Sequence, residues 1–164
     1  MESFKSAVGI EDAIFPKLAR VRPRKLTVER HVPGSGTLLE SKIDESITVG
    51  LEEAETENDV TSEAPKLRVT VDISFNATWR EKATKRMVVT FSGDFEGIFF
   101  FPANTPVLEV DQFIRTKLYR DVLISQVYPV ARSQMISTVQ MVGVNAKRDI
   151  GFDLHNTAVG IEEE

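Results

Sequence analysis

Residues 67–79 read LRVTVDISFNATW. Leu67, Val69, Val71, Ile73, Phe75, Ala77 and Trp79 are apolar, and every residue between them is polar. Strict period two over such a length predicts one long strand with a dry face and a wet face. Working outward, REKATK at 80–85 is a polar turn, and a partner strand follows with Met87, Val89 and Phe91 in phase. SGD at 92–94 reads as a bulge or kink before the strand resumes in FEGIFFF at 95–101. On the N-terminal side, Ile47, Val49 and Leu51 alternate with Thr48 and Gly50 in a shorter strand. LARVRPRKLTVER at 18–30 is strand-like as well, and Pro23 confines it to an edge or a bulge. VPGSGT at 32–37 forms the turn between these two. The expected sheet has four antiparallel strands in sequence order.

The period changes at Asp111. Ile114, Leu118 and Val122 recur at i+4, as do Tyr119, Leu123 and Val127, with Asp111 as N-cap. Pro129 is expected to end this helix and to open a second one, lined by Val130, Met135, Ile136 and Val139 and closed by Gly143. The dry face of the sheet needs a cover, and these helices supply it. The predicted class is α+β, a four-stranded antiparallel sheet with helices packed on one face.

Composition bounds the function. The chain has 164 residues, 41% of them hydrophobic and 27% charged, a net charge of −5 and no cysteine. Disulfides, thiolate nucleophiles and cysteine zinc sites are excluded. The N-terminal residues lack the apolar core of a secretory signal, and no apolar run reaches the ~20 residues of a membrane span. A soluble, cytoplasmic chain is expected. Six basic residues lie between Lys17 and Arg30, and nine acids between Glu40 and Glu63. The basic stripe could bind phosphates, but pairing with an adjacent acidic strand is the favoured explanation. Residues 52–65 read as a solvated loop, and the closing GIEEE as a frayed tail.

No catalytic constellation emerges. His31 and His155 lie outside any ligand spacing, GSGT at 34–37 lacks the frame and lysine of a phosphate loop, and no serine sits in a nucleophile elbow. Neither enzyme activity, a cofactor nor a metal is expected. What does stand out is apolar surplus: alternation sends Phe99 and Phe101 to one face and Phe100 to the other. Subunit contact could cover the second face, or part of the surplus could stay available for an apolar ligand or peptide.

These segments, taken in order, resemble the SecB family of protein-export chaperones. KLARVRPRKLTVE is similar to the family's first strand, ITVGL to its second and LRVTVDIS to its third. GIFFF contains its Gly-Ile-Phe, and YPVARSQMISTV its helix start, carried by Pro129, Ala131 and Arg132. The resemblance divides the chain into an N-terminal extension (1–17), a SecB-like domain (18–154) and a flexible acidic tail (155–164). It implies an ATP-independent holdase, a homotetramer built as a dimer of dimers, that binds unfolded polypeptides for export or as an antitoxin-type chaperone. Client positions carry over to Ile47, Val49 and Leu51, with Ile43 where the family usually has tryptophan; Phe99 and Phe101 join them as the shared apolar face. At the positions that dock the translocase motor, Lys25 and Thr90 replace acids while Glu29 and Val88 fit, so motor binding is expected to be weak. The alternatives are an assembly oligomer using the Phe-rich face and, less favoured, a nucleic-acid-binding β-domain.

Overall fold

A computed structural model describes residues 13–32, 38–54, 66–102, 104–144 and 159–161. The elements are β1 (Lys17–Arg30), β2 (Leu39–Ala54), β3 (Lys66–Glu81), β4 (Met87–Phe100), α1 (Val107–Ile114), α2 (Lys117–Met141) and β5 (Val159–Ile161). The turn at 34–37, most of the acidic loop and His155 lie outside the described residues. Four long antiparallel strands and two helices make the α+β class expected from the alternation.

The strand order is β1-β4-β3-β2-β5, which corrects the expectation of sequence order. The strands β2, β3 and β4 form a meander, but β1 pairs with β4. Burial gives the reason. From Phe95 to Phe99 every residue of β4 is buried, so this strand needs neighbours on both sides. Most of β1 is exposed, and its register shifts between Pro23 and Lys25, which suits an edge. The irregularity thus falls on β1, while β4 runs unbroken through SGD. The charge pairing is corrected as well, because β1 and β2 are not neighbours. Arg22 Nε donates to Glu96 at 2.6 Å, Arg24 also binds Glu96 and lies 3.5 Å from Asp72, and Arg68 pairs with Glu52.

The dry face of β3 is buried along its whole length, Trp79 included. Its cover is α2, one continuous helix with Pro129 inside it. The expected break at Pro129 does not occur; the helices separate at Arg115–Thr116, where Thr116 takes an extended ψ of 124°. Asp111 accordingly lies within α1 and accepts a bond from Arg115 at 3.0 Å instead of capping a helix. An internal proline costs about 3 kcal/mol. Packing offsets this, since Tyr119, Leu123, Val127, Ala131, Met135 and Val139 form a buried stripe at four-residue spacing that passes through Pro129. Gly97 permits the close approach: a Cβ there would stand 2.3 Å from Val127 Cγ2. Before β1, Phe15 stacks on Tyr119, which also stacks on Phe113, so the N-terminal segment, α2 and α1 share one aromatic column.

Candidate functional site

The register aligns residues of the helix-covered face in rows across the sheet. Leu18, Phe99, Val69 and Leu51 form one; Val21, Gly97, Val71 and Val49 the next; then Pro23, Phe95, Ile73 and Ile47. Farther along, Val28, Phe91, Ala77 and Ile43 make another. The aliphatic residues proposed from the sequence therefore share one face of β2, and Phe99 reaches the same row as Leu51 from two strands away. Ile47, Val49, Phe99 and Phe101 are buried in the core, whereas Ile43 and Leu51 are half-buried. Of the three consecutive phenylalanines, only Phe100 faces the opposite side, at 37% exposure.

Alternation also places Ser41 and Glu45 on the helix side of β2, and sequence reasoning missed them. The odd-numbered phase that Glu45 shares with Ile43 and Ile47 assigns its face. Tyr128 Oη donates to Glu45 Oε1 at 2.8 Å, and its ring meets Phe75 edge to face. Burial and the Glu45 carboxylate together push the Tyr128 phenol well above its ordinary pKa, with Arg132 pulling the other way. The tyrosine before Pro129 thus joins α2 to β2, and this polar contact divides the aliphatic stripe at Glu45.

The cover over this face is uneven. α2 packs over β1, β4 and β3, while α1 reaches β2. α1 leaves Val107 and Leu108 exposed, Leu108 at 78%. Along its outer edge β2 carries β5, paired in parallel with Ile47 opposite Val159, Thr48 opposite Gly160 and Val49 opposite Ile161. Gly160 and Ile161, expected to open a frayed tail, are thus in a strand, and Glu162–Glu164 lie outside the described residues.

The opposite face is ionic. Burial disfavours the Glu96 carboxylate, but hydrogen bonds from Arg24 and Arg22 outweigh it and hold its pKa below the ordinary value. On the same face Lys25 lies opposite Asp94, and Glu29 opposite Thr90, whose hydroxyl is 3.0 Å from His31 Nε2. Val88 is buried. Among the described residues no cluster of three His, Cys, Asp or Glu side chains could hold a metal, and no described helix is long and apolar enough to cross a membrane.

A solved SecB-like chaperone from Mycobacterium tuberculosis, in complex with a ChAD peptide from an antitoxin, superimposes on this chain with a TM-score of 0.52. The alignment covers 87% of this chain and 91% of that one, at 14% identity. The fold is SecB-like. No protein-family model and no curated protein matches the sequence.

Proposed function

We propose that this chain is an ATP-independent holdase that binds extended, unfolded polypeptides along β2. One observation carries this: along its outer edge β2 is paired, among the described residues, only at Ile47–Val49 by the short β5. Its uncharged run, Ser46–Leu51, is flanked by Glu40, Asp44 and Glu45 on one side and Glu52 and Glu53 on the other. Backbone groups on such an edge accept any extended chain, and the half-buried Ile43 and Leu51 add apolar contact without reading a sequence. The SecB-like fold and the peptide carried by the solved neighbour support the same assignment. Clients would enter between the β2 edge and α1, contacting Ile43 and Leu51 directly. Ile47, Val49, Phe99 and Phe101 would form the floor behind them.

The proposed assembly is a cytoplasmic homotetramer serving either export or an antitoxin-type client, with weak motor docking. Purified protein should suppress aggregation of a chemically unfolded substrate at near-stoichiometric ratio, without nucleotide. No suppression at tenfold excess would overturn the holdase assignment. Light scattering at micromolar concentration should report four chain masses, and a clean monomer would rule out the tetramer.

A further inference from the structure

Edge strands template the addition of any other extended chain, and proteins blunt them with charge, proline or a cover. Most of β2 follows this rule through its acids, but Ser46–Leu51 has no charge, and the β-branched Ile47, Thr48 and Val49 favour extended structure. The described partner on the outer side of β2 is β5, and its register falls at Ile47–Val49, inside that run. The covering residues are Val159, Gly160 and Ile161, a short uncharged aliphatic stretch, followed in sequence by Glu162, Glu163 and Glu164. Cover and edge therefore match in chemistry and position, and the cover is shorter than the run it occupies.

From this match we propose that Val159–Ile161 is a built-in substitute for client: it occupies the backbone edge of β2 in the same chain, and an extended aliphatic segment displaces it on binding. This rests on the holdase assignment above and adds a regulatory layer to the same edge. The balance of forces allows exchange. Three paired residues make few backbone bonds, and the stretch competes chiefly because it is tethered to the same chain. A client segment that pairs along the full uncharged run makes more bonds than β5 does. The substitute thus protects the edge from other copies of the chain and yields to longer segments. The apparent affinity for clients falls by the fraction of molecules whose edge is open.

The probe is a fluorescent ten-residue peptide of alternating valine and threonine, followed by anisotropy. If about one edge in ten is open, a chain ending at Ala158 should bind the peptide about tenfold more tightly than the full chain. Gly160→Pro, which removes a backbone donor and restricts φ, should give the same gain at full length. In the unmodified chain, bound peptide should speed amide exchange at Val159–Ile161 while Ile47–Val49 stay protected. Equal affinity in all three chains, or continued protection of Val159–Ile161 with peptide bound, would overturn the substitution while leaving the holdase assignment intact. Failure of every chain to bind peptide or suppress aggregation would instead remove that assignment, and this proposal with it.

Discussion

The two long strands beside the central pair β3–β4 solve the same problem in different ways. β1 is largely exposed, carries six basic residues and is interrupted at Pro23, so it offers a poor template to another chain. β2 is longer, holds its charges at the two ends and leaves an uncharged middle that β5 covers. On the ionic face, β1 is joined to β4 and β3 through Glu96 and Asp72. β2 carries its buried aliphatics on the helix-covered face. Composition alone hides this contrast, because both strands are rich in charge. What separates them is where the charges fall along the edge: spread charge closes an edge permanently, and charge confined to the ends leaves a place where a cover can come and go.

The contrast can be tested by damage at graded distance from the edges. The largest effect should come from the centre, which both strands share. Gly97→Leu would drive a side chain into Val127 and lift α2 from β4, costing about 3 kcal/mol or more in urea unfolding. A cost under ~1 kcal/mol would mean that α2 does not depend on that close approach. Next comes the floor of β2. Val49→Ser removes fully buried apolar volume and leaves a hydroxyl in its place, for a loss of about 2–3 kcal/mol. It is a poor probe of client contact for this reason, since weaker binding would be mixed with weaker folding.

On the β1 side, Glu96→Gln should cost about 2 kcal/mol, less than a wholly buried pair because both arginines are about half exposed. The pH dependence has a defined sign. The folded pKa of Glu96 lies below its ordinary 4.5, so its contribution is complete above that value and is lost as pH falls through the folded pKa. The Gln variant should show a flatter decline in stability on acidification. An unchanged slope would mean that the ion cluster does not couple β1 to the sheet. Leu51→Ser, at a half-buried position, should cost only ~1 kcal/mol of stability yet lower client affinity about tenfold. Unchanged affinity in this folded variant would move the contact surface away from β2.

The smallest change in stability is expected at the face of β1. Lys25→Asp with Thr90→Glu places new acids near Asp94 and Glu29 and should cost about 0.5 kcal/mol through like-charge proximity. Its readout is binding of a basic peptide representing the translocase motor's tail. Affinity should rise at low salt, with the gain fading as salt screens it. Tight, salt-sensitive binding by the unmodified chain would show that other acids serve instead.

Several elements were legible in the sequence because neighbouring residues alone decide them. Alternation located β3 and β4, Pro23 marked an edge strand, and Trp79 was placed in the core. Glu45 was also within reach, since its phase in β2 assigns its face, but an acid between aliphatics invites a solvated assignment. Strand order lay beyond local pattern. That β1 pairs with β4 follows from the need of a doubly buried β4 for two neighbours, a requirement visible only once burial is known. The continuity of α2 was another such case: proline states a local cost, and whether a helix bears it depends on what the flanking turns bury against the sheet. The same holds for β5, three residues with no signal of their own that become a strand because β2 presents an unfilled edge. Sequence by itself determined which segments extend and which coil, through side-chain period and backbone restriction. Only the tertiary structure decided which edges meet, because that choice sums contacts between residues far apart in the chain.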